Sequence, residues 1–317
     1  MNYSITVYLL FIAVLISCSS SPEGNSSFLF RETEQGVELL DGEAPVLFYQ
    51  KAIKSPNGEY FINNYIHPLY SLKGDTLTEE FPKDHLHHRG IFWAWHQVYV
   101  GDQNVGDSWI MENVSHDVIS VKTSKNKKEA QLKTRVLWKS SVFQNNKPFI
   151  EEHATITVFK TEDKFRIIDF EILLKPLVPN VFIGGSDNEK GYGGFSWRTR
   201  LPEDVVFTSS KGPVTPQTLQ VEAGPWMDLS ASFGGEGLFS GISVLCHPST
   251  PNYVAPWILR KQKSMQNIVF PGREKVKLSM DKPLTLRYRL LIHGGSADDI
   301  DIAKLQSEYN KIVFPQN

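Results

Sequence analysis

The sequence is nearly without cysteine. Two occur in 317 residues, Cys18 and Cys246. Cys18 falls in an N-terminal targeting segment, so the folded part holds one thiol and no intrachain disulfide is expected. Charge of one sign is also missing. Lys and Arg total 33 against 35 Asp and Glu, a net charge of −2. That balance argues against a nucleic-acid partner, whose phosphates are neutralised by clustered cations. No long apolar run is present: Tyr8 to Ile16 is too short to span a bilayer comfortably. There is no repeat of fixed period. The glycine-rich stretch Lys190-Gly191-Tyr192-Gly193-Gly194 lacks the Lys-Ser/Thr of a phosphate loop and has no βαβ unit around it. No nucleophilic-serine elbow is found.

The N-terminus reads as an export signal. Its apolar run ends in Leu15-Ile16-Ser17-Cys18, the pattern of a bacterial lipoprotein signal with Cys18 as the lipidated residue. No Lys or Arg precedes the run, so a plain secretory signal is the alternative. Residues 19–28, rich in Ser with Pro22 and Gly24, read as a flexible tether. No acidic run follows Cys18, which points to a periplasm-facing lipoprotein that meets the membrane only through its lipid. Residues 29–317 read as one domain.

Strand patterns dominate that domain. Val46–Tyr49, Asp117–Val121, Ala130–Trp138, His153–Phe159, Phe165–Ile172 and Leu284–Ile292 alternate or are rich in β-branched residues. Asn145–Pro148 and Thr161–Asp163 mark turns between them. One helix is expected, capped by Ser296 and carrying Ile300, Ile302, Leu305 and Tyr309. The expected fold is all-β: a large antiparallel sandwich with long loops and a short C-terminal helix. Cys246 follows Ser243-Val244-Leu245 and reads as a small core residue. Glu151-Glu152-His153 reads as the solvated edge of a strand.

The densest chemistry lies between Phe81 and His96. Four of the nine histidines are there, with Asp84, Arg89, Trp93 and Trp95. Imidazoles serve as acids, bases or metal ligands near neutral pH. In an extended chain His85, His87 and Arg89 share one face. His-x-His with Asp84 or a distant Glu is one way to hold a divalent metal. The favoured reading is metal-free acid–base or sugar-binding chemistry; a structural role is the third.

Three further segments carry candidates. Gly106-Asp107-Ser108-Trp109 leads to Glu112, an acid/base or ligand candidate whose bland alternative is an ordinary turn. Tyr192 stands among three glycines, with Trp197 and Arg198 close behind. Glycine there allows a close backbone approach, the tyrosine can exchange a proton, and Arg198 can grip a carboxylate; a bulged strand is the structural alternative. His247-Pro248 leads a proline-rich loop in which His247, Asn252, Trp257 and Arg260 are candidates to line a carbohydrate cleft; a rigid surface loop is the bland alternative.

Asp84-His85-Leu86-His87-His88-Arg89-Gly90, Gly106–Trp109, Tyr192–Arg198 and the His247–Trp257 loop together resemble one exported bacterial family, labelled "methane oxygenase PmoA-like". The label itself conflicts with the sequence, because a membrane oxygenase needs several spanning helices. The resemblance implies a carbohydrate-active β-sandwich similar to the galactose-mutarotase supersandwich. It also implies dehydration of a uronic acid at the non-reducing end of an oligosaccharide, with ulvan a plausible source, leaving a 4,5-unsaturated end. Such chemistry asks for a neutralised carboxylate, a base at C5 and an acid for the departing 4-hydroxyl. Arg89 and Arg198 suit the first role, His87 or His88 the second, and Tyr192 or His247 the third. Trp93, Trp95 and Trp257 suit stacking on sugar rings, and His85 joins the binding wall.

Two other classes stay open. A glycoside hydrolase or epimerase on the same scaffold would use paired carboxylates, Glu112 with Asp107, Asp187 or Glu189. A non-catalytic carbohydrate-binding lipoprotein would need the aromatic and arginine residues but not the histidines.

Overall fold

The computed structural model describes residues 27–263 and 265–314. Cys18 and its signal lie outside them. Among the described residues no helix is long and apolar enough to cross a membrane.

Alternation builds the sheets. In Glu129–Ser140 and Phe165–Pro176 every second residue is buried, so one face of each strand packs and the other is wetter. The chain is all-β, with three antiparallel sheets and one short C-terminal helix. The nine-stranded sheet is centred on Phe165–Pro176 and Leu284–Gly294, which pair from Phe165–His293 to Leu174–Leu284. Its far edge continues through Ile150–Phe159 and Glu129–Ser140 to Val114–Lys125. The eight-stranded sheet begins at Phe28, whose ring is already buried, and carries Ile91–Ala94 beside Gly194–Trp197. A small four-stranded sheet, absent from the sequence expectation, includes Gln97–Val100 and Val181–Gly184. All six expected strands fall within observed ones.

The two large sheets share one apolar core. Phe170 of the nine-stranded sheet meets Phe195 of the eight-stranded one at 5.2 Å, and Phe195 meets Tyr288 at 4.6 Å. The core also tethers the loops that leave Ile91–Ala94 and Gly194–Trp197, because Trp95 packs on Trp138 and donates its Nε1–H to the Phe270 carbonyl at 2.8 Å.

The C-terminal helix differs in detail from expectation. Ser296 caps only the single turn Ala297–Asp299, and the α-helix Ile302–Asn310 starts afresh with Asp301 accepting from the Lys304 amide. Ile300, extended between them, breaks the run. The helix covers the outer face of the nine-stranded sheet. Tyr309 lies over Arg289, which pairs with Asp169 at 2.7 and 2.8 Å.

Glu152 corrects the reading of its segment. It is fully buried rather than on a wet edge, because residues 150, 152 and 154 of this strand face the core. Asn64 Nδ2 and Trp138 Nε1 each donate to it at 2.9 Å. Burial raises its pKa despite these donors. Glu152→Ala should therefore cost about 3 kcal/mol in urea unfolding, since both donors lose their acceptor inside a new cavity. The raised pKa means that the folded state holds the proton more tightly. That contribution is full below the ordinary carboxyl pKa and is lost as pH rises through the folded value. Glu152→Gln should flatten the fall in melting temperature across that window.

Candidate functional site

The histidine segment is not extended. Pro82-Lys83-Asp84 favours a turn, and two turns follow each other: the His85 amide donates to the Pro82 carbonyl and the His88 amide to the His85 carbonyl, both at 2.9 Å. The alternation expected of a strand is therefore replaced by a knot of three imidazoles. His85 and His88 stack at 4.5 Å with ring planes 1° apart, and His87 stands edge-on to His88 at 4.6 Å.

Two buried arginines hold this knot. Arg198 is 3% exposed. Its Nε donates to Glu79 at 2.8 Å, its Nη2 to both Asp84 oxygens at 3.0 and 3.1 Å, and its Nη1 contacts His88 Nδ1 at 3.3 Å. Asp84 also pairs with His85 Nδ1 at 2.7 Å. Burial works against ionisation of Asp84, but the His85 and Arg198 contacts hold its pKa below the usual range. Arg89 is 1% exposed and has no carboxylate partner among the described residues. It donates to the carbonyls of His87 at 3.2 Å, Trp109 at 2.9 Å and Ser108 at 3.3 Å, and lies 4.3 Å over the Phe92 ring. Burial lowers its pKa to about 10, still well above neutrality. Both arginines were expected to neutralise a substrate carboxylate; in the structure both are buried and hydrogen-bonded around the knot.

The Gly106-Asp107 turn brings the second part of the site. The Ser108 amide donates to the Trp95 carbonyl, and the Trp95 amide to Ser108 Oγ. That pairing sets Asp107 beside His96. Asp107 Oδ1 accepts from the amides of Trp109 at 2.7 Å and Ile110 at 3.1 Å, and its Oδ2 lies 2.7 Å from His96 Nδ1. A carboxylate at Nδ1 places the imidazole proton there and leaves the Nε2 lone pair open. His96 Nε2 is buried with no hydrogen-bond partner among the described residues. Trp109 stacks on His96 at 5.1 Å, and Tyr192 stands edge-on to both, at 4.8 and 5.0 Å.

Tyr192 reaches this position through its glycines. A Cβ on Gly193 would sit 2.9 Å from Gly185 Cα, and Gly191 has φ +54°. Burial raises the Tyr192 pKa, Asp107 adds to the rise, and Arg260 opposes it. Arg260 donates to the carbonyls of Gln217, Thr218 and Leu259 at 2.7 to 2.9 Å. Among the described residues it forms no ion pair with a carboxylate, and its charge acts on Tyr192.

The environment keeps His87 and His88 neutral. Burial, then the charge of Arg89, lowers the His87 pKa to about 4. Burial, then His87 and His85, lowers that of His88 to about 2. Strain gathers at the same place. Tyr60, Phe81 and Met111 have φ of +49°, +47° and +59°, and all three pack with Tyr192 against the small cluster that contains Phe92 and Trp109. Each such residue costs roughly 1–3 kcal/mol, a cost tolerated where function fixes the geometry.

Other expected residues lie elsewhere. Trp93, Trp95 and Trp257 are at most 2% exposed and build the core, so none presents a face to a sugar. His247 packs between Tyr309 and Phe314, donates through Nε2 to the Ile312 carbonyl and meets Ser249 through Nδ1. It anchors the C-terminal segment. Asn252 is exposed and reaches only the Val269 carbonyl at 3.4 Å. Glu112 is exposed and pairs through its backbone with Asp107, while Asp187 is spent on Arg273. Among the described residues no group of three or more His, Cys, Asp or Glu is arranged to hold a metal. Cys246 is buried, as expected, and burial pushes its thiol pKa up. A polar cleft of about 670 Å³ adjoins the knot, with Asp84, Arg198, Arg200 and Lys263 in its wall.

The sequence reading passed over His96 and Trp109 as site residues. The available signal was His96 within the histidine segment and a Gly-Asp turn downstream. Their pairing depends on the Trp95–Ser108 contact, which no spacing rule reveals.

Residues 36–307 match DUF6807, a family of unknown function. The chain belongs to this family. No curated protein matches it. In this DUF6807 chain the imidazole knot leads to a direct expectation: in a pH titration followed by NMR, His87 should change charge near pH 4 rather than near 6.5. The folded state then disfavours the charged ring, so the contribution of His87 to stability is present above the unfolded pKa and is lost as pH falls toward 4.

Proposed function

We propose that the chain is a carbohydrate-active hydro-lyase that dehydrates the non-reducing-end uronic acid of an oligosaccharide. The observation that supports this most is the grouping of His96, Tyr192 and Arg260. His96 is held by Asp107 with Nε2 unpaired, burial favours the protonated form of Tyr192, and Arg260 forms no ion pair with an acid among the described residues. Arg260 neutralises the substrate carboxylate, which makes the C5 proton removable. His96 Nε2 takes that proton. The C5–H electrons form the C4–C5 double bond, the C4–O bond breaks, and the oxygen leaves as water with the proton of Tyr192. The proton on His96 then returns through solvent to the phenolate. His87, neutral above about pH 4, is the second imidazole suited to the base role.

This reading keeps the chemistry implied by the PmoA-like resemblance and moves its parts. The base shifts from His87 or His88 to His96, the acid is Tyr192 rather than His247, and the carboxylate partner is Arg260 rather than Arg89 or Arg198. The hydrolase alternative loses its support because Glu112 is exposed and Asp107 is committed to His96. Export with a lipid anchor at Cys18 is part of the same proposal, since a polysaccharide-derived substrate is met outside the cytoplasm.

The test is incubation with saturated uronate-ended oligosaccharides, watching ultraviolet absorbance of the enol ether and loss of one water by mass. Wild type should form the unsaturated end. His96→Ala and Tyr192→Phe should each lower the rate by about 10²–10⁴-fold, and Glu112→Gln should leave it within a few fold. No unsaturated product from any uronate would refute the proposal.

A further inference from the structure

Two side-chain amides take no part in the proton transfer, yet both are held deep in the sheet that supports it. Gln266 and Asn267 are adjacent in the chain and 0% exposed. A buried amide is costly unless its N–H and C=O groups find partners. Both side chains find backbone partners, and these lie in the two segments that carry Tyr192 and Arg260.

The strand Gln266–Ile268 lies between two others in the eight-stranded sheet. On one side Asn267 pairs with Ser196 and Gln266 with Trp197, in the strand that Tyr192 leads into. On the other side Ile268 pairs with Trp257 and Asn267 with Ile258, in the strand that runs on to Arg260. The Asn267 side chain grips the Tyr192 segment. Its Oδ1 accepts from the Gly193 amide at 3.3 Å, and its Nδ2 donates to the Gly193 carbonyl at 3.0 Å. Ser186 secures Tyr192 itself: the Ser186 amide donates to the Tyr192 carbonyl at 2.9 Å, and Ser186 Oγ accepts from the Tyr192 amide at 3.1 Å. The Gln266 side chain grips the Arg260 segment. Its Oε1 accepts from the Arg260 amide at 2.8 Å, and its Nε2 donates to the Arg260 carbonyl at 2.9 Å. Each amide thus closes a two-way bond with the backbone of one residue. The Arg260 guanidinium is anchored as well, on the carbonyls of Gln217 and Thr218.

We propose that Gln266 and Asn267 are positioning residues which, through one short strand, hold Arg260 and Tyr192 in a fixed relation. One sugar has to meet both groups. The carboxylate of a uronate and its departing hydroxyl stand on neighbouring carbons, C5 and C4, so a rigid ring presents them at a set separation. A site already set to that separation has no groups to order when the sugar arrives. The inference rests on the roles proposed for Tyr192 and Arg260, and it concerns how they are held rather than the reaction.

The experiment uses full-length protein with tyrosine rings labelled for NMR, the Tyr192 signal being assigned through Tyr192→Phe. Gln266→Met removes both bonds to Arg260, and Asn267→Ser draws the side chain back from Gly193. Gln306→Met is the control for stability alone, since Gln306 is also buried but donates to the Cys246 carbonyl from the C-terminal helix. Gln266→Met should shift the Tyr192 signal in the direction that Arg260→Met shifts it. Asn267→Ser should shift the Tyr192 signal and that of Trp109, because the two rings touch at 5.0 Å. Gln306→Met should lower the melting temperature and leave both signals in place. In turnover of a uronate-ended oligosaccharide, Gln266→Met should raise KM about tenfold or more, and Asn267→Ser should lower kcat about tenfold or more with KM within a few fold. Should either variant fail to fold, Gln266→Glu and Asn267→Asp, which keep the acceptor oxygen and lose only the donor, give the same readings. The proposal is overturned if the variants behave as Gln306→Met does, less stable but with the Tyr192 signal unmoved, or if they turn over substrate with KM and kcat unchanged. A wild type that forms no product removes the dehydratase reading alone, because the NMR signals still decide whether the strand sets Tyr192 and Arg260.

Discussion

Arg89 is a full positive charge placed almost out of reach of solvent, with no carboxylate paired to it among the described residues. Such a group is expensive to bury and persists only where hydrogen bonds replace its water. Here three backbone carbonyls do so, and they come from two different loops: His87 from the imidazole knot, and Ser108 and Trp109 from the Asp107 turn. One guanidinium thus fixes the distance between the knot and the His96–Asp107 pair. Its charge also helps hold His87 neutral. The geometry and the protonation state of the candidate site depend on the same residue.

The remaining parts follow from how the sheets deliver their loops. Ile91–Ala94 and Gly194–Trp197 are neighbours in the eight-stranded sheet, so the chain leaving one carries His96 and the chain entering the other carries Tyr192. Glycine at 191 and 193 lets the second approach the first closely enough for their rings to touch. Arg198, just past Gly194–Trp197, closes the far side of the knot with two acids and a histidine. Most polar groups buried here are paired; among those without a hydrogen-bond partner are Arg89 Nε and His96 Nε2. An unpaired imidazole nitrogen on a ring held by a carboxylate is one mark of a group that works on a ligand.

Much of this was legible from the sequence. Strands with strict alternation, such as Ala130–Trp138 and Phe165–Ile172, were found because one buried face leaves a period of two. The histidine segment, the Gly-Asp turn and the glycine-flanked tyrosine were each visible as local features. Their mutual arrangement was not. Tryptophan is equally at home in a core and on a sugar site, and only the packed sheets show that Trp93, Trp95 and Trp257 belong to the core. Arginine looks available until its partners are counted, which is why Arg89 and Arg198 were assigned to a substrate and Arg260 was given a lesser part. His247 looked catalytic because of its loop, yet the C-terminal segment folds over it.

The most direct measurement is a crystal structure of the His96→Ala protein with a saturated uronate-ended disaccharide bound. The account predicts the terminal sugar between position 96 and the Tyr192 hydroxyl, its carboxylate on Arg260. A disaccharide seated instead in the Arg200–Lys263 cleft or beside His247, with Tyr192 and Arg260 untouched, would contradict it.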